Sequence, residues 1–598
     1  MSWLNLFNEN VYKATNLTVE KKHKVFKKKG LDKLIPQCRE KRQTCLENAE
    51  KLWKNAEKNF KQNGIEVFFA QNGKSAKDFI KSKLNENELI VKGKSLTTEE
   101  IELRQFLEKE EHEVVETDLG EWIIQQRNEL PSHFTAPAVH LSAQDVKKLI
   151  EKKFGVKLSA NPEELTAFVR KLLRKKFLNA TTGIIGANFV ISNPATVMAV
   201  SNEGNVSLCA RLPEKLFVIT GYDRIYDNPE NMENLQKLLT SSATGQYYTS
   251  YIDFIRKPLP HQKIYLIVLD NGRKKLLNSE FKDTARCIRC ASCLNICPVY
   301  KEVGGHRFGK VYHGGIGSLL TAFTGKQNDA EKIADFCLRC GSCEPECPME
   351  IPIADLVAKL SENFSLPLYL KIPLKLLKNA EKKTKSRKEN LIFIGCAFRT
   401  PLFKKIKEKI LSFADKLNAD ILEDGCCGMP HFYKGQIEES NQKVKALEKI
   451  FSNYKTIYLP CSSGFSFLKD KFGEKIKLLS TSVAEKSQNP IETKIPIFYH
   501  LPCHLKHLKN FDEKEVLKKA IPIKEWENET KCCGSAGTFW ISHPLISKKI
   551  LSRKKGQEGD FYIVTSCPSC YLQLKRIYKN KIKHPVEIIA IEQYRLGQ

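Results

Sequence analysis

Twenty cysteines in 598 residues are placed unevenly: Cys38, Cys45 and Cys209 precede residue 287, and the other seventeen lie between Cys287 and Cys570. Two runs share the spacing C-x2-C-x2-C-x3-C-P. They are Cys287, Cys290, Cys293 and Cys297 before Pro298, and Cys337, Cys340, Cys343 and Cys347 before Pro348. In this spacing three thiolates wrap three irons of one cube, and the fourth, turned away by its proline, reaches the other cube. The expectation is two ferredoxin-type [4Fe–4S] clusters with crossed ligands. Cys287, Cys290, Cys293 and Cys347 would hold one; Cys337, Cys340, Cys343 and Cys297 would hold the second.

A second repeat follows. Cys396, Cys426-Cys427-Gly428 and Cys461 recur as Cys503, Cys532-Cys533-Gly534 and Cys567-Pro568-Ser569-Cys570, offset by 107 for the first cysteine and 106 for the rest. A fixed offset of this length marks a duplicated domain. Adjacent cysteines cannot easily serve one iron, but they can serve two neighbouring irons of an opened, non-cubane cluster. The glycine after them lets the backbone approach closely. The copies are unequal, because Gly464 stands where the second copy has Cys570. The four thiols of the first copy admit a cluster with fewer ligands, a zinc ion, or no metal. For Cys38, Cys45 and Cys209 the expectation is burial without ligation.

The elements that must position these residues are legible as short apolar runs. Leu391–Ile394, Thr456–Leu459, Ile497–Tyr499 and Tyr562–Val564 each end at or just before a cysteine and read as buried parallel strands followed by helices. Open α/β sheets collect ligands beyond the carboxyl ends of their strands, which is where these cysteines fall. In the cysteine-poor half, residues 17–62 read as Lys/Glu-rich helix. After them Ile65–Ala70, Leu89–Val91, Val114–Val115, Leu216–Thr220 and Ile264–Leu269 alternate with helical patterns, as in an α/β domain with a largely parallel sheet. No G-x-G-x-x-G follows a strand, so no nicotinamide or flavin site of that kind is expected, and there is no C-x-x-C-H haem motif.

The formal net charge of +28 invites a nucleic-acid reading. The lysines, however, are spread along the chain beside glutamates, as solvated helix faces are, and no nucleic-acid motif accompanies them. No apolar run is long enough to cross a membrane, and the N-terminus lacks the features of a signal peptide. The expected location is the cytoplasm, where clustered thiols mean metal or redox chemistry, with at most peripheral association at the inner face of the membrane.

The residues 91–100, 116–121, Pro131-Ser-His133 with His140, Gly186-Ala-Asn188, Ser201-Asn-Glu-Gly-Asn205, 242–246 and Asp270-Asn-Gly-Arg273 together resemble the LUD domain of the iron–sulfur B subunit of L-lactate utilisation. That domain is similar to the sugar-phosphate isomerase and CoA-transferase α/β superfamily. The ferredoxin segment, with Gly304-Gly-His306 and Tyr312, continues the likeness to about residue 360. The CCG repeats resemble the A subunit of the same system, the B subunit of heterodisulfide reductase and the iron–sulfur subunit of glycolate oxidation.

The resemblance implies a multidomain α/β chain. Residues 1–62 form a helical extension, 63–280 a LUD domain, 281–360 an α-helical dicluster module and 361–390 a linker. Residues 391–488 form a degenerate first CCG domain and 489–598 a second. It further implies a non-cubane [4Fe–4S] site at Cys503, Cys532, Cys533, Cys567 and Cys570. The implied activity is oxidation of L-lactate to pyruvate without NAD, with electrons passing to an acceptor such as quinone and a separate LUD-family third subunit as partner. For the carboxylate clamp the candidates are Arg273 and Lys94, and for the base His133 or His140. Glu203 is expected to line the same pocket, and Asn188 and Asn202 to shape turns. Two other readings stay open: an electron-transfer subunit serving a separate glycolate or D-lactate dehydrogenase, and thiol–disulfide chemistry at the CCG site.

Overall fold

Thr182–Gly186, Lys215–Gly221 and Lys263–Leu269 are buried at nearly every position, the pattern of strands covered by helices on both faces. They form the middle of a six-stranded, all-parallel sheet. Its order is Ile65–Ala70, Lys263–Leu269, Lys215–Gly221, Thr182–Gly186, Leu89–Lys92 and Glu113–Glu116. The structure is a computed structural model that describes residues 8–381, 388–487, 490–508, 511–554 and 558–589. Residues 382–387 of the expected linker, and the first seven residues of the stretch searched for a signal peptide, lie outside the described residues.

The chain forms two units: residues 1–337 with 343–353, and residues 338–342 with 354–598. In the first, one face of the six-stranded sheet packs Trp53, Phe60, Val169, Leu173 and Leu216, and the other packs Ile80, Leu103, Leu107, Phe217 and Ile267. A smaller mixed sheet adds Ile225–Tyr226, Phe189–Ile191, Thr196–Ser201 and Tyr251–Ile255 in that order. The Lys-rich N-terminal stretch forms three helices, Glu9–Lys29, Ile35–Glu47 and Ala49–Gln62. The last of these buries Ala49, Trp53, Ala56 and Phe60 at helical spacing.

The second unit contains two four-stranded parallel sheets. One runs Ala419–Leu422, Asn390–Phe393, Thr456–Leu459, Ile476–Leu478. The other runs Ile523–Lys524, Ile497–Tyr499, Tyr562–Val564, Ile582–Lys583. Each is ordered second–first–third–fourth along the chain, so the duplication inferred from the cysteines extends to topology. The copies share one core in which Ile392, Phe398 and Val483 pack with Tyr499, Ile563 and Leu574. Among the described residues no helix is long and apolar enough to cross a membrane.

Candidate functional site

The loops beyond the carboxyl ends of the parallel strands of the first unit enclose a cavity of about 300 Å³. Lys94 and Ser95 reach it after Leu89–Lys92, Asp118 after Glu113–Glu116, Ala187 and Asn188 after Thr182–Gly186, and Arg224 after Lys215–Gly221. Glu203, Asn202 and Asn205 complete the polar wall, and Ile288 and Arg289 close it. These last two lie between Cys287 and Cys290, so one wall of the cavity is the first cysteine run.

Cations concentrate on and behind that wall. Asp223, buried, takes a hydrogen bond from Arg273 Nε at 2.9 Å and has Arg42, Arg224 and Arg289 at 3.6, 3.6 and 3.7 Å. Burial pushes its carboxyl up, but these four guanidiniums overcome that and hold it well below the usual carboxylate range. Arg224 and Arg289 also donate to the carbonyl of Cys287, at 3.2 and 2.9 Å. Burial draws the Arg224 guanidinium down to about 10, which still leaves it charged near neutrality. Lys94 Nζ lies 3.1 Å from Glu121. Glu203, at the open side of the cavity, accepts from Leu119 N at 3.1 Å. Loss of hydration and then the charge of Asp118 raise its pKa to about 7.

The expected site residues divide accordingly. Lys94, Glu203, Asn188 and Asn202 line the cavity. Arg273 does not, which corrects its reading as a carboxylate clamp. It is buried, and its guanidinium is taken up by Glu100 at 2.8 and 2.9 Å and by Asp223. His133 and His140 are likewise away from the cavity wall, which corrects their reading as bases. His133 meets Asn295 Oδ1 at 3.0 Å through Nε2 and accepts from Thr135 N and Ala136 N through Nδ1, and burial lowers it to about 4. His140 pairs with Glu129 at 3.1 Å, and burial lowers it too. Arg224, Arg289 and Asp118 were not singled out from the sequence. Asp118, inside the 116–121 motif, and Arg289, inside the first cysteine run, carried a visible signal there, and Arg224 carried none.

Cys287, Cys290, Cys293 and Cys347 line one small apolar void together with Ile316, Met349, Ile351 and Ile353. Arg289 and Ala291, on either side of Cys290, both have φ of +63°. This turns the backbone around the sulfurs, and Arg289 N–H lies 3.4 Å from Cys287 Sγ. Arg339 and Gly341 flank Cys340 with φ of +50° and +67°, so the second run repeats the turn. Burial, then the neighbouring thiols, push Cys290 up to about 12, and burial raises Cys347 to about 11. Four sulfurs around an apolar void, two of them from buried and two from half-buried cysteines, with an N–H aimed at one of them, fit a four-thiolate cluster. Lys22 on the N-terminal helix reaches the same region, donating to Ser292 Oγ and to the Glu346 carbonyl at 2.8 Å each.

In the second unit Cys503, Cys532, Cys533, Cys567 and Cys570 gather at the strand ends. Cys533 and Cys570 sulfurs are 3.4 Å apart, and Gly534 N–H is 3.2 Å from Cys532 Sγ. Hydrogen bonds from Cys532 and Cys570 hold Cys533 well below the usual thiol value. Gly534 has φ of +78°, and a Cβ there would fall 2.8 Å from the Ser547 carbonyl. The first copy repeats the constraint at Gly428, with φ of +91° and a contact of 2.8 Å to the Ser440 carbonyl. There Cys396, Cys426 and Cys427 form a hydrogen-bonded chain. A Cβ at Gly464 would stand 3.7 Å from Cys427 Sγ, on the side where the missing fifth thiol belongs. Cys340 is near enough to Cys503 and Cys532 for its charge to raise both. Cys38, Cys45 and Cys209 are buried, and burial raises Cys38 to about 11 and Cys209 to about 12.

A parallel α/β sheet with a polar cavity, cysteine turns of ferredoxin type and a duplicated cysteine-rich sheet define a modular iron–sulfur protein. The LUD domain family matches residues 53–276, the 4Fe-4S dicluster domain 283–351, and the cysteine-rich CCG domain 391–469 and again 497–575. Lactate utilization protein B of Bacillus cytotoxicus (strain DSM 22905 / CIP 110041 / 391-98 / NVH 391-98) is 39% identical over 326 residues, covering 53% of this chain and 69% of that protein. The protein of that name from Bacillus cereus (strain AH820) gives the same figures, and that from Bacillus thuringiensis (strain Al Hakam) is 38% identical over the same span. A DUF162 family protein from Deinococcus radiodurans aligns over 37% of this chain and 98% of its own, at 9% identity and a TM-score of 0.20. The chain belongs to the lactate utilization protein B family, and it joins the LUD and dicluster domains of that family to two CCG domains.

Proposed function

We propose that the chain is an iron–sulfur oxidoreductase of lactate utilisation, oxidising L-lactate to pyruvate in the LUD cavity and passing electrons to an acceptor such as quinone. One observation carries this reading: the cavity wall is made by Ile288 and Arg289, within the cysteine run itself. A small 2-hydroxy acid held there lies against the cluster ligands. Its carboxylate faces Arg289 and Arg224, planar donors suited to two-pronged contact, with Lys94 adding charge. Glu203, raised toward neutrality, is the group placed to take the hydroxyl proton. The oxidation breaks the hydroxyl O–H and the Cα–H bonds and releases two electrons and two protons, the first proton to Glu203 and the second to solvent at the open side of the cavity. The clusters, when bound, supply one-electron acceptors.

The proximity of Cys340 to Cys503 and Cys532 supports onward transfer toward the CCG site. A separate LUD-family subunit is the proposed partner, and the proposed location is the cytoplasm. The test is the full chain, reconstituted anaerobically with iron and sulfide. L-lactate should reduce the clusters, read by EPR, with one pyruvate formed per two electrons. Reduction by a partner dehydrogenase but never by lactate would assign the chain to electron relay alone.

A further inference from the structure

The second CCG site has a neighbour that the cysteine pattern does not announce. A ring nitrogen of His500 and the sulfurs of Cys533 and Cys570 all lie within 4.8 Å of one another. His500 follows the strand Ile497–Tyr499 and is 2% exposed. Its Nδ1 lies 3.2 Å from Lys554 Nζ and 3.2 Å from the Glu529 carbonyl. Nε2 has no hydrogen-bond partner among the described residues, and with Nδ1 turned to Lys554 and Glu529 it is the nitrogen left to address the sulfurs.

The direction of the proton follows from the donors. An ammonium has only protons to give. Lys554 is buried, anchored to the Asn528 carbonyl at 2.6 Å and set over the Trp526 ring at 5.2 Å. Nδ1 therefore accepts from Lys554 at 3.2 Å, because a protonated Nδ1 would set its own hydrogen against the ammonium. With Nδ1 accepting, the ring proton sits on Nε2 and points toward the thiolates.

The geometry points to His500 as an N–H···S donor to the Cys533 sulfur, with Lys554 fixing its tautomer, a pair that sets the reduction potential of whatever cluster the second CCG site holds. Hydrogen bonds and positive charge at cluster sulfurs favour the more negative, reduced state. The pair belongs to this copy alone. The offset of 107 puts Phe393 where His500 stands, and the offset of 106 puts Glu448 where Lys554 stands.

The test is an EPR-monitored redox titration of the full reconstituted chain as wild type, His500→Phe and Lys554→Met. Both variants should keep wild-type iron and sulfide content and leave the ferredoxin signals unmoved. Each should shift the midpoint of the CCG signal downward by at least a tenfold change in equilibrium, about 59 mV for one electron. Labelling histidine with 15N should show only a weak coupling, transmitted through sulfur. An unmoved midpoint in both variants overturns the proposal. So does a strong, direct 15N coupling or loss of iron on His500→Phe, because either would make His500 a ligand. Should His500→Phe fail to fold, Lys554→Met and the 15N coupling decide between the same outcomes.

Discussion

The two CCG copies share strand order, adjacent cysteines and a glycine in the same strained conformation, yet one gathers five thiols and the other four. Among the differences around the cysteines are Gly464 against Cys570, and Phe393 and Glu448 against His500 and Lys554. A duplicated backbone can thus be kept whole while its chemistry diverges, because the glycines answer to backbone sterics and the ligands do not.

The largest effect expected is on metal content. Cys570→Ser should abolish the EPR signal of the second copy and lower iron accordingly. Gly464→Cys should add iron to the first, since its sulfur would be directed toward Cys427. Metal and sulfide analysis of the full chain checks both, and an unchanged first copy in Gly464→Cys would mean that the copies differ by more than one thiol. The ferredoxin pair offers a contrast, because there the copies exchange a ligand. Cys347→Ser should strip the cluster built on Cys287, Cys290 and Cys293, and Cys297→Ser the other one. Loss of the cluster on the mutated residue's own run would end that contrast.

Glu203→Gln should leave every cluster signal intact and cut lactate-driven reduction by about 10²–10⁴-fold. The wild-type rate should climb with pH through the raised Glu203 pKa, and the variant should lose that limb. Asp118 and Lys94 face the same group and set where the limb falls. Stability runs the other way. A carboxyl raised above its ordinary 4.5 contributes fully below that value, and the contribution is lost as pH rises through the folded pKa. The flattening of this slope in Glu203→Gln is measurable by denaturant titration. The smallest effect expected is from Gly428→Ala and Gly534→Ala. Each should destabilise its copy by about 1–3 kcal/mol through the left-handed backbone and the close carbonyl. The two losses should be similar, which a chemical denaturation series of the full chain would reveal.

Most central strands were legible because runs such as Leu216–Ile219 and Ile264–Leu269 are apolar or aromatic throughout. Edge strands such as Ile476–Leu478 and Ile523–Lys524 are too short and too mixed to stand out. The cysteines were legible because their spacing is local. Partnership at a distance was not. Asp270-Asn-Gly-Arg273 has the look of an anion loop, but Arg273 is claimed by Glu100, 173 residues away, and by Asp223, 50 residues away. His500 became interesting only through Lys554, 54 residues further on. Burial decided both cases, and burial is a property of the fold rather than of a motif.

The contacts between the copies carry one more consequence. Ser462 N–H bonds the Ser566 carbonyl at 3.1 Å, Ser463 Oγ lies 3.4 Å from Cys567 Sγ, and the two sheets share a core. Two copies of one fold that bury a common core stand to each other much as the subunits of a homodimer do, here written into a single polypeptide. A true homodimer repeats every substitution in both partners and is bound to keep its sites alike. Covalent fusion removes that obligation, so one half can lose a thiol and the other acquire a lysine while each still shelters the other's hydrophobic face.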